Sequence, residues 1–453
     1  MTVTKPLTAP INGGPLKATP TIAAHTAPIT TTSPDAPLPS HFTRLPQAVI
    51  DPVFALTASF VEDTNPEKVS LGIGVYRSDE GLPWPLPAVE KAEEQLFAER
   101  DASRHEYLAI AGDLRFLELA RDVAFRFDHD DDSNEQRRRK MRIASVQTIS
   151  GTGANHMGAA FLARHLRPRN VWISDPTWGN HHAIWDLVGV NRQTYPYYNP
   201  RTRGLDFEGM MRTLETQAER NDVVLLHACA HNPTGLDPTK EQWIAIADVC
   251  RRKGLFPFFD SAYQGFASGD LEEDASAVRY FFRSEPPVEM CVAQSFSKNF
   301  GLYGQRVGAL HLVSATSSPS QRNAVIANLC HLVRGEYSMA PRGGCAIVKK
   351  VLESEELTKE WHDNLAAMSG RLKDMRKALY DELVRLGTPG SWEHIISQIG
   401  MFSYTGLTPT QVQALKEKYH IYLLTSGRAS ISGLNSRNVA YVARAIDDVV
   451  RTV

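Results

Sequence analysis

The sequence lacks the features that would direct a chain to a membrane or to nucleic acid. Its 453 residues contain no apolar run of about 18 residues, so no membrane-spanning helix is expected. The 49 lysines and arginines nearly balance the 51 aspartates and glutamates, and the formal net charge is -2. Such a balance gives no indication of nucleic acid or an anionic membrane as a partner. Hydrophobic residues make up 42% of the chain, enough for a globular protein with more than one core.

Cysteine is scarce, and its placement predicts no disulfide framework. The five cysteines are scattered, odd in number and mostly inside apolar runs (Cys229, Cys250, Cys291, Cys330 and Cys345). This usage favours reduced, buried thiols in a cytosol-like compartment, so we expect a cytoplasmic protein. The sequence has no CxxC pair and no cluster of histidine and cysteine, and no metal site is predicted.

Charged side chains are almost missing from the first 41 residues. Lys5 and Lys17 are the clear ones before Asp35, and the segment is rich in threonine, proline, alanine and serine. Such a composition buries too little apolar surface to fold, so residues 1–41 are predicted to be a disordered tail. A targeting peptide is the alternative, because the segment is poor in acidic residues. It has no arginine, however, and its prolines would interrupt an amphipathic helix.

Short apolar runs alternate with helical stretches between residues 146 and 313, as successive βαβ units do. The candidate strands are residues 171–174, 223–228, 255–259, 290–293 and 307–313. Most of them end near a polar or glycine-containing turn. The predicted fold class is therefore α/β, with a doubly wound, mainly parallel sheet and a site along one sheet edge.

A long amphipathic helix is predicted from about residue 365. Leucine or methionine recurs there at steps of three and four residues (Leu365, Met368, Leu372, Met375, Leu379, Leu383 and Leu386), and Gly387 is placed to end the helix. We predict a first folded segment at residues 42–82 that contributes to a small domain. A large domain is predicted at residues 83–364, and an interdomain helix with the rest of the small domain at residues 365–453.

The stretch from Ser295 to Gly308 contains the residues most suggestive of chemistry. Lys298 follows the apolar run 290–293 and precedes the run 307–313, so we expect it on a loop near the ends of two buried strands. Ser295 and Arg306 flank it, and a hydroxyl with a fixed cation is suited to hold a phosphate. An amine beside a phosphate site suggests a lysine in Schiff-base linkage to pyridoxal phosphate. The alternative is a solvated loop lysine without a chemical role.

This stretch resembles the lysine loop of class I aminotransferases, most closely that of the aspartate aminotransferases of the eukaryotic cytosol. The resemblance extends from about residue 42 to the C-terminus, and its motifs occur in the family's order. It implies the pyridoxal phosphate type I fold, in which the large domain binds the cofactor beside a smaller α/β domain. It also implies a homodimer with shared active sites, acting on small molecules, an amino acid and a 2-oxo acid.

The turn Ser150-Gly-Thr-Gly-Ala154 opens a predicted helix that runs to about residue 166. Glycines at a helix N-terminus let backbone N–H groups approach an anion, so Ser150, Gly151 and Thr152 are candidate ligands for the cofactor phosphate. Turns of this composition are also ordinary helix caps. The resemblance implies that Tyr107 reaches the phosphate from the neighbouring subunit.

Five residues are matched to the cofactor ring and its carboxylate partner. Trp178 matches the family's tryptophan that stacks on the pyridine ring, and His181 matches the histidine behind the ring-nitrogen carboxylate. Asp260 could form a charge-assisted bond with the protonated pyridine nitrogen and keep the ring an electron sink. The resemblance implies that Asn232 and Tyr263 hydrogen-bond the 3′-oxygen and stabilise its anion. Taken without this context, Trp178 would be a core residue and Asp260 a helix N-cap.

Two arginines are predicted to select the substrate. Arg428 matches the family's clamp for the α-carboxylate, and Arg334 matches the arginine that reaches across the dimer to the side-chain carboxylate. Guanidinium groups at both ends of one pocket would select a dicarboxylate, because each binds a carboxylate through two hydrogen bonds. Gly74, Trp178 and Asn232 are the other predicted substrate contacts. Taken singly, either arginine would more simply be part of a surface ion pair.

Two segments depart from the family's pattern. Where Ser-Asn-Pro-Pro is usual, residues 338–341 read Ser-Met-Ala-Pro, and Ile399 stands where arginine is common before Gly-Met-Phe. The first departure is close in sequence to Arg334. An altered distal pocket would therefore affect the choice of substrate more than transamination itself.

The predicted function is transamination by a ping-pong mechanism, in which aspartate and 2-oxoglutarate give oxaloacetate and glutamate. Lys298 is the predicted base and acid, and Asp260 and Tyr263 are assigned to the catalytic group with it. One alternative is an aromatic or broad-range aminotransferase, in central or dedicated biosynthetic metabolism. The others are a pyridoxal phosphate enzyme of another class, such as an aspartate β-decarboxylase, and a catalytically inactive dimeric scaffold.

Overall fold

The computed structural model describes residues 40–43, 45–46, 51–99, 102–127 and 133–453. The tail predicted at residues 1–41 therefore lies outside the described residues, except for its last two positions. The α-helices are α1 (Pro52–Glu62), α2 (Pro87–Glu99), α3 (Leu114–Phe125), α4 (Asn134–Met141), α5 (Ser150–His165), α6 (Asn180–Leu187), α7 (Phe207–Thr216), α8 (Lys240–Lys253), α9 (Leu271–Asp274), α10 (Ser276–Arg283), α11 (Pro319–Glu336), α12 (Arg342–Glu353), α13 (Glu355–Arg385), α14 (Glu393–Ser397), α15 (Pro409–Tyr419) and α16 (Val439–Thr452). Short 3₁₀ helices span Ala102–His105 and Ile431–Gly433.

The strands fall into one large sheet and several strand pairs. They are β1 (Val69–Ser70), β2 (Ile143–Ile149), β3 (Asn170–Asp175), β4 (Asn191–Pro196), β5 (Tyr198–Asn199), β6 (Gly204–Leu205), β7 (Val223–His227), β8 (Phe256–Ser261), β9 (Met290–Ser295), β10 (Val307–Val313), β11 (Phe402–Tyr404), β12 (Ile421–Tyr422) and β13 (Arg428–Ser430). All five strands proposed from the apolar runs are present, with ends that differ by at most two residues.

Seven strands form the central sheet, in the order β2-β10-β9-β8-β7-β3-β4. β10 runs antiparallel to β2 and to β9, whereas the other neighbours pair in parallel. In the register of this sheet, Asp260 of β8 lies between His227 of β7 and Ala293 of β9. The predicted α/β class with a mainly parallel sheet is confirmed.

Helices cover both faces of the sheet, which explains why its inner strands are apolar without interruption. Along β7, Val224 and Leu226 face a cluster built with α3, α7, α8 and α10. Val223 and Leu225 face a second cluster, built with α5, α6 and α11. The edge strand β4 was not predicted, because most of its side chains are exposed and it carries no apolar run.

The 31-residue helix α13 lies at the centre of a third hydrophobic cluster, which contains residues of α2, α12, α15, α16 and the lysine loop. Its predicted apolar stripe is buried or partly buried throughout. The helix begins ten residues before the predicted start, where Ser354 accepts a hydrogen bond from the backbone N–H of Leu357. Gly387 follows the helix with a φ of +63°, a conformation that glycine adopts without strain.

Two short strand pairs lie beside this helix. β1 pairs in parallel with β12, which joins the segment before Leu82 to the C-terminal part of the chain. β11 pairs in antiparallel fashion with β13, the strand that begins with Arg428. The division into domains at residues 82 and 364 stays a prediction.

The described residues contain no helix that is both long and apolar enough to cross a membrane. The same residues include no group of three or more histidine, cysteine, aspartate or glutamate side chains arranged to hold a metal ion.

Trp361 of α13 is the residue whose loss should destabilise the fold most directly around the lysine loop. It is fully buried, its ring stacks on Phe300 at a centroid distance of 4.4 Å, and its Nε1 donates to the carbonyl of Asn299 at 2.7 Å. We expect Trp361→Ala to lower the free energy of unfolding by about 3–5 kcal/mol, measured by urea denaturation. Val384→Ala, at an exposed position of the same helix, should change it by less than about 0.5 kcal/mol. Equal losses in the two variants would contradict this prediction.

Candidate active site

A cavity of about 210 Å³ brings most of the predicted site residues together. Its lining includes Gly74, Ser150, Gly151, Thr152, Trp178, Asn232, Asp260, Tyr263, Ser295, Lys298, Arg306 and Arg428. Asp260 is the last but one residue of strand β8. Lys298 and Trp178 each lie three residues after the end of a strand of the same sheet. The cavity therefore lies at the carboxyl edge of the parallel strands, as open α/β sheets arrange their ligand sites.

One end of the cavity is built to hold a phosphate. Ser150 begins the 16-residue helix α5, and its Oγ lies 2.6 Å from Ser297 Oγ and 3.3 Å from Ser295 Oγ. Arg306 Nη1 donates to Ser297 Oγ at 3.4 Å, and no carboxylate of the described residues forms an ion pair with Arg306. Hydroxyls, a helix N-terminus and an unpaired guanidinium are the donors that a phosphate dianion needs.

Glycine is required where backbones approach each other closely at this end. A Cβ added to Gly308 would lie 2.6 Å from the carbonyl carbon of Ser150, and one added to Gly151 would lie 2.9 Å from Ser295 Cβ. Ser150 itself has a φ of +60°. Because any side chain at Gly308 would push Ser150 away, these two glycines keep the hydroxyl cluster in place.

A directional chain of hydrogen bonds ends at Asp260. The backbone N–H of Asn232 donates to His227 Nδ1 at 3.4 Å, so the proton of His227 is on Nε2, 3.3 Å from Thr177 Oγ1. The hydroxyl of Thr177 then donates to His181 Nδ1 at 2.9 Å. This leaves the proton of His181 on Nε2, 3.0 Å from Asp260 Oδ2. Asp260 is thereby held as an ionised carboxylate that faces the cavity.

The electrostatics at Asp260 agree with that arrangement. Burial raises the pKa of Asp260, but the hydrogen bond from His181 opposes it most strongly. The electrostatic effects of His181, His227 and, least, Lys298 add to that bond, and together they hold the pKa below its ordinary value. Burial lowers the pKa of His227 to about 3, so its ring is neutral at physiological pH. A buried carboxylate of this kind is suited to pair with a protonated ring nitrogen.

Lys298 is half-buried because its amine opens into the cavity, 5.3 Å from the centre of the Tyr263 ring. Burial lowers the pKa of Lys298, and the charges of Arg306 and Arg428 lower it too, against the opposing effect of Asp260. A lowered pKa increases the neutral fraction of the amine. The neutral form is the one that attacks a carbonyl carbon or accepts a proton.

Arg428 also lines the cavity and is 6% exposed. Its Nη2 donates to the carbonyl of Gly72 at 2.7 Å and its Nη1 to Asn232 Oδ1 at 3.4 Å, while Nε has no partner. The guanidinium carbon lies 4.1 Å from the ring centre of Phe402. Burial lowers the pKa of Arg428 to about 10, so the group stays charged at neutral pH. A buried cation with an orphaned donor is suited to an anionic ligand.

Tyr107 and Arg334 are not in this cavity. Tyr107 is 85% exposed, and Arg334 is exposed near the end of α11, where it donates to Ser338 Oγ. The segments that carry the two residues meet, because the backbone N–H of Leu108 donates to Met339 Sδ at 3.1 Å. Their predicted roles in the site of a neighbouring subunit stay predictions.

Several cavity residues were not predicted as site residues from the sequence (Val53, Asn155, His227, Ala262, Ser297, Tyr303 and Phe402). Ser297 stands between Ser295 and Lys298, so its place in the lysine loop was a usable signal. His227 ends strand β7, but its role depends on Thr177, fifty residues away, and no local pattern shows that contact. Val53 and Phe402 come from distant parts of the chain, and no local pattern marks them.

Comparisons with known proteins identify close relatives. A family model described as aminotransferase class I and II matches residues 66–446. An L-tyrosine:2-oxoglutarate aminotransferase of Aspergillus ustus is 58% identical over 404 residues, which are 89% of this chain and 77% of the relative.

Solved structures give the same result. The aspartate aminotransferase from the cytoplasm of Saccharomyces cerevisiae superposes with a TM-score of 0.86 at 44% identity, covering 91% of this chain and 98% of that one. An aromatic-amino-acid aminotransferase of Burkholderia pseudomallei gives a TM-score of 0.85 at 39% identity, covering 91% of this chain and 100% of that one. Pyridoxal phosphate is covalently bound in the latter structure.

Gly308→Ala tests the phosphate cradle. The added methyl group would displace the backbone of Ser150, so we expect the Kd for pyridoxal phosphate to rise about tenfold, or about 1.4 kcal/mol. Equilibrium dialysis of the protein against the cofactor measures this change. Gly304→Ala is the matched control, because a Cβ at Gly304 would meet no atom within 4 Å. An unchanged Kd in the folded Gly308→Ala protein would contradict the assignment of this end of the cavity to the cofactor phosphate.

Proposed function

Since this chain belongs to the class I and II aminotransferases, which use pyridoxal phosphate, we propose that it moves amino groups between dicarboxylic amino acids and 2-oxo acids. The reaction is aspartate with 2-oxoglutarate giving oxaloacetate and glutamate, in two half-reactions on one site. Substrates are small molecules. The aspartate aminotransferase of the yeast cytoplasm, 44% identical, supports this choice of substrates and a cytoplasmic location.

The proposal rests on the guanidinium of Arg428, which is buried and forms no ion pair. It faces the same cavity as Lys298, its Nε has no partner, and none of the described carboxylates forms an ion pair with it. A substrate carboxylate would complete its hydrogen bonds and place the adjacent Cα between the two residues.

The remaining cavity residues fit the cofactor. Ser150, Ser295, Ser297 and Arg306, with the N-terminus of α5, would hold its phosphate, and Asp260 would hold its ring nitrogen protonated. When bound, pyridoxal phosphate supplies a carbonyl group that joins to an amine and a ring that withdraws electrons from the substrate Cα.

The protein's own contribution to proton transfer lies in Lys298. Its amine lines the cavity and has a lowered pKa, so it is suited to take the proton from the substrate Cα and to return it after the electrons have moved. Trp178 forms one wall, and its ring lies 5.1 Å from that of His181, edge to face. The tryptophan would fix the plane in which the reacting atoms lie.

We further propose that the active form is a homodimer in which Arg334 and Tyr107 complete the site of the partner subunit. Both are exposed and neither lines the chain's own cavity, and the segments that carry them meet where Leu108 donates to Met339. Arg334 would then bind the side-chain carboxylate of the substrate. In this arrangement two guanidinium groups from different chains select a dicarboxylate.

The 58% identity with a tyrosine:2-oxoglutarate aminotransferase supports a second candidate function, transamination of aromatic amino acids. Met339 stands where asparagine is usual, close in sequence to Arg334, and its thioether is apolar. An apolar distal pocket would accept an aromatic ring. In the second half-reaction 2-oxoglutarate would accept the amino group and leave as glutamate.

Lys298→Ala should abolish turnover and leave the fold intact. Aspartate added to the parent protein loaded with cofactor should bleach the cofactor's absorption band and release oxaloacetate, whereas the variant should do neither. Lys359→Ala, at an exposed position of α13, is the matched control and should keep full activity. Substantial turnover by Lys298→Ala would refute the role of the lysine. Release of alanine and carbon dioxide by the parent protein would indicate β-decarboxylation instead.

Arg334→Ala separates the two candidate functions. If dicarboxylates are the substrates, the variant should lose at least about 100-fold in the rate of bleaching by aspartate and glutamate, because a charged hydrogen-bonded pair contributes several kcal/mol. The rate at which tyrosine and phenylalanine bleach the cofactor band should not fall in this variant. Equal or better bleaching of the parent protein by the aromatic amino acids, independent of Arg334, would establish the second candidate.

A further inference from the structure

We propose that Arg376 is a positioning residue: its guanidinium fixes the turn at residues 395–402, so that the ring of Phe402 holds Arg428 in the cavity. The proposal rests on the function proposed above, in which Arg428 binds the α-carboxylate. Arg376 does not line the cavity, whereas Phe402 and Arg428 both do. Arg376 therefore acts through other residues and not on the reacting atoms.

Arg376 is a charged group buried inside the third hydrophobic cluster. It lies on α13, is 3% exposed, and forms no ion pair with the described carboxylates. Burial lowers its pKa to about 9, which still leaves it charged at neutral pH. A buried charge without a counter-ion is strongly destabilising unless fixed dipoles surround it.

The dipoles around Arg376 come from one short segment. Its Nη1 donates to the carbonyl of Ile395 at 2.9 Å, and its Nη2 donates to the carbonyls of Gly400 at 3.0 Å and Phe402 at 2.5 Å. These three acceptors lie at the two ends of the turn between α14 and β11. A planar guanidinium with donors in fixed directions sets the distance and the orientation between them.

The turn is also fixed on its other side, against the loop that carries Asn232. The backbone N–H of Ile399 donates to the carbonyl of Gly235 at 2.8 Å. Gly400 has a φ of +78°, and a Cβ there would lie 2.5 Å from Ala230 Cβ. The turn therefore has little room to move as long as Arg376 holds its carbonyl groups.

The position of the Phe402 ring determines where Arg428 lies in the cavity. Its ring centre lies 4.1 Å from the guanidinium carbon of Arg428 and 6.4 Å from the ring centre of Tyr263. A Cβ on Gly74 would lie 2.9 Å from Phe402 Cζ, so the ring also defines the wall at Gly74. Because a cation is attracted to the face of an aromatic ring, a shift of the Phe402 backbone would move Arg428.

The first test is Arg376→Lys, which keeps the charge and removes the planar set of donors. We expect the Kd of the cofactor-loaded protein for maleate, a dicarboxylate without an amino group, to rise about tenfold in titration calorimetry. KM for aspartate should rise by a similar factor and kcat should change little, because the lost interaction is the same in the ground state and the transition state. The Kd for pyridoxal phosphate should not change. An unchanged maleate Kd in the folded variant would overturn the proposal.

Arg371→Lys is the matched control. Arg371 lies on the same helix and also donates to backbone carbonyls, those of Leu434 at 2.9 Å and Ser432 at 3.0 Å. Its guanidinium lies over the ring of Tyr76 and not over Phe402. We expect this variant to lower the thermal midpoint without weakening maleate binding. A rise in Kd equal to that of Arg376→Lys would mean that loosening of the helix is the cause, and would overturn the proposal.

A double-mutant cycle tests the route through Phe402. Phe402→Leu removes the ring that stacks on Arg428, and it should weaken maleate binding by itself. In the Phe402→Leu protein, adding Arg376→Lys should have little further effect on the maleate Kd, because both changes interrupt the same chain of contacts. If the rise in the maleate Kd of the double variant equals the product of the two separate rises, the proposed route through Phe402 is wrong.

Arg428→Lys distinguishes this inference from the function on which it rests. Maleate binding should be largely lost in that variant, because lysine cannot bind a carboxylate through two parallel hydrogen bonds. If Arg428→Lys binds maleate as well as the parent protein, the proposed carboxylate clamp is wrong, and the role of Arg376 is wrong with it. If Arg428→Lys loses binding but Arg376→Lys does not, only the positioning role is wrong.

Discussion

Buried and half-buried positive groups that form no ion pair determine the character of the cavity. Burial lowers the pKa of Lys298, Arg306 and Arg428, and none of the three forms an ion pair with a described carboxylate. Such groups are stabilised when an anion reaches them, so the folded protein has a built-in preference for anionic ligands. The carboxylate of Asp260 is placed differently. Its hydrogen bond from His181 keeps it ionised where a protonated ring would lie.

The long helix α13 supports this cavity although none of its residues lines it. Trp361 packs against the lysine loop, Arg371 donates to the backbone near β1 and the last 3₁₀ helix, and Arg376 donates to the turn before β11. The three contacts lie along one helix of 31 residues. Segments that are far apart in the sequence are therefore held at fixed distances from one another by a single rigid element.

The parallel strands and most of the site could be predicted, because they depend on local patterns. Buried strands such as β7 are apolar on both faces, and the polar residues at their ends stand out. His227 was missed because its importance comes from Thr177, fifty residues away, whose hydroxyl orders the hydrogen bonds. Strand β4 was missed because it is stabilised by its neighbour and not by an apolar run. The roles proposed for Arg334 and Tyr107 involve a second chain, so no pattern within one sequence establishes them.

The reversed direction of β10 has a consequence for how the site is assembled. Because β10 runs against β9, the residues before it reach the same sheet edge as the residues after β9. Lys298 and Arg306 thus belong to one hairpin loop, closed by the pairing of Ser295 with Gly308. Closing a short loop loses little chain entropy compared with joining distant segments. The amine and the guanidinium therefore form a local unit whose geometry is set by one hairpin, and the carboxylate and aromatic walls are added to it by the rest of the sheet.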